Sequence, residues 1–324
     1  MTIDIFSIEP TKVSRDLRGK VVILYGEPKV GKTTNATKFP KPLLVAFEKG
    51  YSALSGVKAV PIQKWSDFKK VLKQLSDPRA HDIYETVVLD TLDIAYSLAE
   101  KYICQREGVD DISAIPYGKG YSLVKKEFEE ALRSIPLMDY GLVMISHAEP
   151  KTFTDEEGQE YTKITPTLPK RPRQIALGMA DIIGYAKNIE KDGETKSILF
   201  LRGTPRFEAG SRFKYTPPYI PFTYDALVNA IADAIEKEGN ETGQITDEHI
   251  NLYKDTEQYT FDEIKQQATE IIQQLMSKDE KNASKITKVI EEHLGKGRKL
   301  AEATEEQMEM VVLIVDDLKD LLNE

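Results

Sequence analysis

The chain has 324 residues, of which 40% are hydrophobic and 30% are charged, and its formal net charge is −9. This length allows one large domain or two ordinary ones, each with a sizeable core. The acidic charge excludes binding to nucleic acid through overall charge alone, although a local basic groove remains compatible with it. The single cysteine, Cys104, excludes an internal disulfide and fits a reducing compartment. The sequence shows neither a secretory signal at its start nor an apolar run long enough to span a membrane, so a cytoplasmic location is expected.

Short apolar runs alternate with amphipathic segments from residue 20 to about residue 235. The apolar runs predict strands, and the segments with apolar residues at helical spacing predict helices. The predicted strands are 20–26, 41–48, 84–90 and 140–147. One predicted helix begins after Gly31, and four others span 65–75, 91–108, 121–135 and 224–239. This alternation indicates an α/β domain with a mostly parallel central sheet.

Two segments after His147 have the composition of antiparallel strand pairs. Residues 151–169 alternate polar and β-prone residues around 157–158, which predicts a β-hairpin. Residues 180–203 predict two antiparallel strands that turn at 192–193. We therefore expect added antiparallel strands beside the parallel sheet.

The C-terminal part of the chain changes to polar and helical sequence. Residues 239–258 are polar and acidic and predict a linker. Three helical segments follow, and the first and third begin with capping boxes, Thr260 with Glu263 and Thr304 with Gln307. We interpret them as a small all-α domain of three helices, with a two-helix coiled element as the alternative. The predicted organisation is a first domain at 1–238, the linker at 239–258 and a helical C-terminal domain at 259–324.

A glycine-rich motif follows the first predicted strand. Residues 26–33 match the pattern G-x-x-x-x-G-K-[ST] in full, between an apolar strand and the start of a helix. Glycines let such a loop turn its N–H groups toward phosphate oxygens, and the helix N-terminus adds a positive dipole end. In this motif Lys32 reaches the β- and γ-phosphates, and Thr33 offers its hydroxyl to Mg²⁺. The predicted nucleotide-binding residues are Gly26, Glu27, Pro28, Lys29, Val30, Gly31, Lys32, Thr33 and Thr34, and Lys32 is also predicted to be catalytic.

Asp90 ends the predicted strand 84–90 and meets a second requirement of a nucleotide site, an acidic residue near the metal. In P-loop proteins such an aspartate belongs to the Mg²⁺ shell, so Thr33 and Asp90 are the predicted metal ligands. Aspartate is also common at strand ends, and the metal assignment therefore depends on the phosphate loop upstream.

Further polar positions follow the neighbouring strands. Glu48 ends the strand after the phosphate loop, Thr91 directly follows Asp90, and Ser146-His147 ends the fourth strand. A nucleotide hydrolase needs a carboxylate to orient and deprotonate water, and we predict this catalytic role for Glu48. His147 is predicted to sense the γ-phosphate and to pass its state to the following loop. The alternatives are a surface charge at Glu48 and, at His147, a strand-end histidine satisfied by the backbone.

These residues, in this order, resemble the RecA-like superfamily of ATPases. That group has its catalytic glutamate after the strand that follows the phosphate-loop helix, Asp-Ser or Asp-Thr at the Walker B end, and Gln or His at the end of the next strand. Over about residues 18–235, the motif order and chain length resemble phage-encoded AAA-family nucleotide-binding proteins of the Sak4-type single-strand annealing group. The resemblance implies a RecA-like P-loop core, ATP and Mg²⁺ as cofactors, and the host cytoplasm for a phage-encoded protein.

The RecA-like group usually completes its nucleotide site with a cation from a neighbouring subunit, often in a Lys-Asn-Arg-Phe-Gly-like segment. Residues 208–215 contain Arg212 at a similar late position, without the leading lysine. The resemblance therefore implies a homo-oligomer in which Arg212 stabilises the transition state of the neighbouring site. A solvated loop arginine is the alternative, and Arg202 and Arg206 compete for the role.

The resemblance also implies DNA-contacting loops after the third and fourth strands, here 110–126 and the hairpin with 168–178. Cations in these loops neutralise phosphates, and aromatic residues such as Tyr121, Phe153 and Tyr161 offer surfaces on which bases stack. The alternative is a solvated basic loop. The predicted DNA-binding residues are Lys119, Lys163, Lys170, Arg171 and Arg173.

The residues and the resemblance together favour a Mg-dependent ATPase that is stimulated by DNA. We expect it to act as an oligomer, a ring or a filament, on single-stranded DNA in recombination or strand annealing. A single-stranded DNA-binding protein is a further expected partner. The open alternatives are a ring helicase or helicase loader of the same superfamily, a P-loop small-molecule kinase, and a nucleotide-binding module with little turnover. Glu48 and the long region after His147 argue against the kinase.

Overall fold

The computed structural model describes residues 10–16, 19–191, 193–251 and 260–323. They belong to two compact units, of which one spans Pro10–Asn251 and the other holds the helices after Thr260. The strands in chain order are β1 Val13–Ser14, β2 Val21–Gly26, β3 Pro42–Ala46, β4 Ala59–Pro61, β5 Thr86–Asp90, β6 Gly141–Thr154, β7 Glu160–Pro166, β8 Ile182–Lys191, β9 Glu194–Phe200, β10 Gly210–Ser211, β11 Tyr219–Pro221 and β12 Ile245–Thr246. The helices are α1 Lys32–Ala36, α2 Trp65–Leu75, α3 Arg79–Ile83, α4 Leu92–Glu107, α5 Lys119–Leu137, α6 Lys170–Met179, α7 Tyr224–Thr242, α8 Phe261–Lys278, α9 Asn282–Leu294 and α10 Met308–Asn323.

A mixed sheet, ten-stranded in the described part of the chain, forms the centre of the first unit. Its strands lie in the order β11-β9-β8-β2-β6-β5-β3-β4, with β10 beside β8 and β7 beside β6. The strands from β8 to β4 run parallel, whereas β7, β9, β10 and β11 pair antiparallel. The predicted fold class is confirmed: a mostly parallel central sheet with added antiparallel strands, followed by a helical C-terminal region.

β2 shows why the apolar runs become central strands. All six of its residues are buried, and their side chains alternate between two cores. Val21 and Ile23 join the core on one face of the sheet, and Val22 and Leu24 join the core on the other. Helices α2, α4, α5 and α6 contribute to the first core, and α1 and α7 contribute to the second. A strand covered on both faces has a continuous apolar sequence, because each side chain enters a core.

β6 is one strand of 14 residues that serves two parts of the sheet. From Gly141 to His147 it pairs with the parallel strands β2 and β5. Residues 148–154 then pair antiparallel with β7. The hairpin predicted within 151–169 is therefore confirmed, and its first strand is an extension of a core strand.

β8 corrects part of the prediction for residues 180–203. It pairs antiparallel with β9, as expected, but it also pairs parallel with β2 from Ile182 to Ala186. Ile182 and Ala186 are buried in the core beside the phosphate-loop strand, so β8 belongs to the parallel sheet. Asp192 of the predicted turn lies outside the described residues.

The end of the first unit corrects the predicted linker 239–258. α7 continues to Thr242, and β12 pairs parallel with β1. Gly239 belongs to the helix because Ile245 packs directly against it: a Cβ at Gly239 would lie 2.3 Å from Ile245 Cγ2. Residues 1–9 of the predicted first domain, 252–258 of the predicted linker and residue 259 of the predicted C-terminal domain lie outside the described residues.

The second unit consists of α8, α9 and α10 around an apolar core of their own. The capping box of Thr260 and Glu263 is confirmed, and Thr304 and Gln307 form another one before a 3-10 turn that leads into α10. Because all three helices contribute to one core, the three-helix arrangement is favoured over a two-helix coiled element. In the described ranges of both units, no helix has the length and apolar character needed to cross a membrane.

Asn35 ties the phosphate loop to the segment between β11 and α7. Its side-chain amide donates to the carbonyl oxygens of Gly31 (3.0 Å) and Phe222 (3.1 Å). Its Oδ1 accepts a 3.1 Å bond from the N–H of Tyr224. The side chain is buried, so it satisfies three backbone groups in a region that it shields from water.

We predict that Asn35→Ala destabilises the first unit. The substitution leaves the Phe222 carbonyl and the Tyr224 N–H without partners, while the Gly31 carbonyl keeps its bond from the backbone N–H of residue 35. This loss should lower the free energy of unfolding by about 2–4 kcal/mol. Urea denaturation of the full chain measures the change. The control is Lys38→Ala, which alters an exposed side chain just after α1 and should change stability by less than ~0.5 kcal/mol. Equal stabilities for the two variants would contradict the role given to Asn35.

Candidate active site

The polar residues predicted for the site converge at the carboxyl edge of the parallel strands. β2 ends at Gly26 and β5 ends at Asp90. β6 lies between them and carries Ser146 and His147 to the same edge. Glu48 follows the end of β3, the next strand beyond β5. In open α/β sheets the carboxyl ends of the strands form the ligand-binding crevice, so the geometry brings these residues to the expected place.

The loop after β2 has a backbone that depends on glycine. A Cβ at Gly26 would lie 2.0 Å from the carbonyl oxygen of Ala186, so only glycine fits against β8 at this point. Gly31 has a φ of 100°, in the left-handed region that side chains disfavour. These two positions give the loop the close turn that a phosphate-binding backbone requires.

Lys32 is buried within this loop. Its Nζ donates to the carbonyl oxygens of Gly26 (2.9 Å) and Glu27 (2.8 Å). Burial lowers the pKa of the Lys32 ammonium group, and the charges of Asp90 and Glu48 oppose that shift. The cation is thus held close to the turn of the loop, where phosphate oxygens are able to replace the two carbonyls as its acceptors.

Thr33 and Asp90 are in direct contact, as the predicted pair of metal ligands requires. The Thr33 hydroxyl donates a 2.7 Å hydrogen bond to Asp90 Oδ2. Burial raises the pKa of the Asp90 carboxyl, and the charge of Glu48 raises it further. A hydroxyl and a carboxylate are oxygen ligands of the kind that Mg²⁺ prefers, and a cation offsets the cost of burying the negative charge. The pair therefore fits a Mg²⁺ ion.

Glu48 is held between the ends of β5 and β6. Its Oε1 accepts a 2.8 Å bond from the Thr91 hydroxyl and lies 3.2 Å from His147 Nε2. Its Oε2 has no hydrogen-bond partner in the described part of the chain, and 31% of the side chain is exposed. One oxygen thus fixes the carboxylate while the other remains accessible. This arrangement is able to orient a water molecule and accept its proton.

Asp93 joins the site although the sequence analysis did not select it. It lies in the first turn of α4, where Oδ1 accepts a 2.9 Å bond from the Ser146 hydroxyl. Oδ2 accepts a 3.4 Å bond from the N–H of His147. Burial raises the pKa of the Asp93 carboxyl. Acidic residues are common in the first turn of a helix, so the only sequence signal was its position between apolar residues shortly after Asp90.

Arg212, the predicted cation in trans, lies apart from the phosphate loop of its own chain. Its guanidinium donates to Asp181 Oδ1 (3.1 Å) and to the carbonyl oxygen of Gly178 (3.0 Å). Asp181 also accepts a 2.8 Å bond from the N–H of Val21, at the amino end of β2. Gly26 lies at the other end of that strand, about 16 Å away at the usual rise per residue. A role for Arg212 in a neighbouring subunit stays a prediction.

Arg202 and Arg206, the competing candidates for the cation in trans, differ in the number of hydrogen bonds that their side chains make. The Arg202 guanidinium donates to several backbone carbonyls of residues 211–216, which gives it a role in holding that segment together. Arg206 is exposed, and its side chain has no partner within the described ranges. Of these two side chains, only that of Arg206 is therefore free to contact another molecule without breaking existing bonds.

Two of the predicted DNA-binding arginines lie in the first turn of α6, beside aromatic rings. The Arg171 guanidinium lies 5.0 Å from the ring centroid of Tyr121, and that of Arg173 lies 5.7 Å from the centroid of Phe153. Phe153 stacks in turn on Tyr161 across the β6–β7 hairpin, with centroids 5.8 Å apart. Both arginines that make these contacts belong to the first turn of α6. We define the basic–aromatic surface as Tyr121, Phe153, Tyr161, Lys170, Arg171 and Arg173.

The predicted DNA-binding lysines are not equally available. Lys170 and Lys119 are exposed and have no side-chain partner among the residues that the structure describes. Lys119 is the first residue of α5, so this helix begins inside the predicted loop 110–126. Lys163 is 25% exposed and has its Nζ 3.9 Å from a carboxylate oxygen of Glu208. The structure thus brings Lys170, Arg171 and Arg173 together and leaves Lys163 partly engaged elsewhere.

We predict that Asp90→Asn stabilises the fold near neutral pH. Because burial raises the pKa of Asp90, the folded chain binds a proton at this carboxyl more tightly than the unfolded chain. The charged form therefore costs stability above the folded pKa. This cost shrinks as the pH falls from the folded pKa to the unfolded pKa and is absent below the unfolded pKa. Asparagine removes the charge with little change of shape, and each 1 kcal/mol gained should raise the Tm by about 2–4 °C.

Thermal unfolding of Asp90→Asn and wild type at several pH values tests this prediction. The difference in Tm should narrow as the pH falls toward the ordinary range of an aspartate. Asp67→Asn, which alters a partly exposed carboxylate paired with Lys70 on α2, is the control and should give no such gain. A lower Tm for Asp90→Asn than for wild type at neutral pH would show that the buried charge is not a cost to the fold.

Comparison with known proteins identifies the family. A model of the AAA domain (AAA_24) matches residues 18–213. The SPbeta prophage-derived uncharacterized protein YorG of Bacillus subtilis strain 168 is 33% identical over 336 residues, which covers 100% of both chains.

Two solved structures, each 12% identical, are distant matches. The flagellar accessory protein FlaH of Methanocaldococcus jannaschii has a TM-score of 0.31 and covers 56% of this chain and 77% of its own. The KaiC-like protein PH0186 of Pyrococcus horikoshii OT3 has a TM-score of 0.34 and covers 60% and 84%. The family match and the full-length relative show that the chain belongs to the AAA domain family, with a prophage-derived protein among its relatives.

Proposed function

We propose that this protein binds ATP with Mg²⁺, hydrolyses the ATP, and acts as an oligomer on single-stranded DNA in recombination or strand annealing. The observation that carries the hydrolysis is the position of Glu48. One of its carboxylate oxygens is fixed by two neighbours, and the other is accessible at the sheet edge that also holds Lys32. A kinase that transfers phosphate to a small molecule does not need a carboxylate there, whereas a hydrolase does.

Each side chain of the site has a separate task in this proposal. The loop N–H groups and Lys32 bind the β- and γ-phosphates. Thr33 and Asp90 hold Mg²⁺, which neutralises charge on the phosphate oxygens when it is bound. Glu48 orients the attacking water and accepts its proton at Oε2, while the bonds to Oε1 keep the carboxylate in place. The donors and acceptors needed for hydrolysis are thus supplied by the ends of neighbouring strands.

The basic–aromatic surface supports the DNA part of the proposal. Guanidinium groups neutralise phosphates, and rings stack with bases of any sequence, a combination suited to single-stranded DNA. α6 begins at this surface without a side-chain cap, so the N–H groups of Lys170 and Arg171 are available to phosphate oxygens. Lys119 and Lys163 add positive charge from α5 and β7. The surface is small, which agrees with an acidic protein that binds DNA through one local patch.

Assembly into a ring or filament is the part of the proposal that depends most on the resemblance to RecA-like ATPases. Arg212 is 61% exposed, so its side chain is accessible to a second copy of the chain. In the proposed oligomer it stabilises the transition state in the neighbouring site. A single-stranded DNA-binding protein is proposed as a further partner, because such a protein covers the DNA on which annealing begins.

Two other activities would use the same nucleotide site. A ring helicase or helicase loader would couple hydrolysis to strand separation, which an unwinding assay with a forked duplex detects. A small-molecule kinase would transfer the γ-phosphate to a metabolite at a rate that DNA does not change. The accessible oxygen of Glu48 and the basic–aromatic surface favour the annealing protein over the kinase.

We predict different defects for Lys32→Ala and Glu48→Gln. Lys32→Ala removes the cation for the phosphates and should weaken ATP binding at least ~10-fold. Glu48→Gln keeps the shape but removes the base, so it should bind ATP normally and hydrolyse it about 10²–10⁴-fold more slowly. Nucleotide binding by fluorescence titration and phosphate release, each with and without single-stranded DNA, measure the two effects. Hydrolysis by Glu48→Gln at the wild-type rate would remove Glu48 as the base.

We predict that the double variant Lys170→Ala, Arg171→Ala binds single-stranded DNA more weakly. Loss of two phosphate contacts should lower the salt dependence of the binding constant by about 1.4 in log–log slope. A matched control is Lys70→Ala, Lys73→Ala, which removes the same charge from exposed positions of α2. Fluorescence anisotropy with a labelled oligonucleotide over a salt series compares them. Equal slopes in the two double variants would mean that the DNA contacts lie elsewhere.

A further inference from the structure

Asp93 connects the helix after β5 to two consecutive residues of β6. Its two carboxylate oxygens accept one bond each, from the Ser146 hydroxyl and from the His147 N–H. Ser146 is fully buried, so these bonds lie in the interior of the unit. α4 itself begins directly after Asp90, the predicted metal ligand. The contact therefore joins the metal side of the site to the strand that ends at His147.

His147 depends on its backbone for its position. Its imidazole reaches Glu48 through Nε2, while Nδ1 is buried and has no hydrogen-bond partner in the described part of the chain. A histidine that acts in a site is commonly oriented by a partner at its second ring nitrogen. Here that partner is lacking among the described residues, and backbone contacts hold the residue instead. Its N–H donates a 3.4 Å bond to Asp93, its carbonyl oxygen accepts a 2.9 Å bond from the N–H of Thr167, and it pairs with β2.

β6 continues from this contact to the basic–aromatic surface without interruption. Its residues up to Ile145 pair with β5, those from Leu142 to His147 pair with β2, and the next seven residues pair with β7. Phe153, a member of the basic–aromatic surface, lies near the end of the same strand. Asp93 therefore holds β6 at the junction between the nucleotide site and the hairpin.

We propose that Asp93 is a positioning residue that couples the bound nucleotide to the β6–β7 hairpin by holding Ser146 and His147. This inference rests on the proposed nucleotide site and deepens it. When the γ-phosphate engages Glu48 and His147, the bond from the His147 N–H to Asp93 limits the displacement of His147 on that side. The change at His147 is therefore passed along β6 to the hairpin. Without the carboxylate, His147 is able to move locally, and the hairpin no longer responds.

A simpler role for Asp93 is that of an acidic residue that stabilises the start of α4 through the helix dipole. That role needs no partner from another element and gains nothing from burial. Asp93 has two partners on β6, and its carboxyl lies in a region where burial raises the pKa. The dipole role also predicts that Asp93→Asn and Asp93→Ala change helix stability alone and leave the hairpin response intact.

Hydrogen–deuterium exchange of the full-length protein tests the coupling without any need for turnover. The probe is the β,γ-imido analogue of ATP with Mg²⁺, and the readout is its effect on the backbone amides of residues 148–166. In wild type we expect the analogue to change exchange in this hairpin as well as in the phosphate loop. In Asp93→Ala the loop should still be protected, with analogue affinity within about twofold of wild type, while the hairpin response falls at least about fivefold.

Two further variants separate positioning from general damage. Asp93→Asn should retain more than half of the hairpin response, because its amide oxygen accepts one bond and its NH₂ group donates to Ser146 Oγ. Glu127→Gln is the matched control, since Glu127 also accepts bonds from two side chains but lies on α5, and it should leave the response unchanged. An unaltered hairpin response in Asp93→Ala would overturn the proposal, and so would loss of the response in Glu127→Gln.

The outcomes also distinguish this proposal from the proposed function. If wild type shows the hairpin response but does not hydrolyse ATP, the coupling stands and the assignment of Glu48 as a base fails. If wild type hydrolyses ATP but its hairpin does not respond to the analogue, the hydrolysis stands and the coupling through Asp93 is overturned.

Discussion

A buried negative charge at Asp90 is the constraint around which the nucleotide site is arranged. Removing an ionised carboxylate from water is costly unless charged or hydrogen-bonding groups replace the water. Thr33 donates one bond to this carboxylate, and the cation of Lys32 contributes at longer range. β5 pairs with strands on both sides and is buried on both faces, so the carboxylate cannot move to solvent. The fold thereby maintains a buried carboxylate, and a divalent cation at the proposed metal site would offset its electrostatic cost.

The parts of the fold that follow from local sequence were predictable. β2 and β5 are continuous apolar runs, α2 spans 65–75 as its periodicity predicts, and the loop at Gly26 follows from a motif with a direct physical meaning. The parts set by distant contacts were not. The pairing of β8 with β2 joins segments about 160 residues apart, and the two bonds to Asp93 come from a strand 53 residues later. Neither the strand pairing nor the bonds to Asp93 can be predicted from the local sequence pattern, because the hydrophobic period and the turn residues depend only on neighbours in the chain.

The basic–aromatic surface shows how an acidic protein is able to concentrate positive charge in one place. Lys170, Arg171 and Arg173 lie in the first turn of α6, where the helix dipole is unfavourable for cations. Tyr121 and Phe153 lie under the guanidinium groups and offset part of that cost through cation–π contacts. The sequence indicated the cluster of charges. It also indicated the rings, but not which arginine each ring would contact, because the rings come from α5 and β6.

The strand order has a consequence for how the chain is made. β2 is the first strand of the large sheet to leave the ribosome, yet both of its neighbours, β6 and β8, are synthesised more than one hundred residues later. Until residue 186 has emerged, the segment VVILYG has at least one unpaired edge, and the backbone that encloses Gly26 is incomplete. Nucleotide therefore cannot assist the early stages of folding, and the nascent chain has to keep an aggregation-prone strand unpaired for most of the synthesis of the first unit.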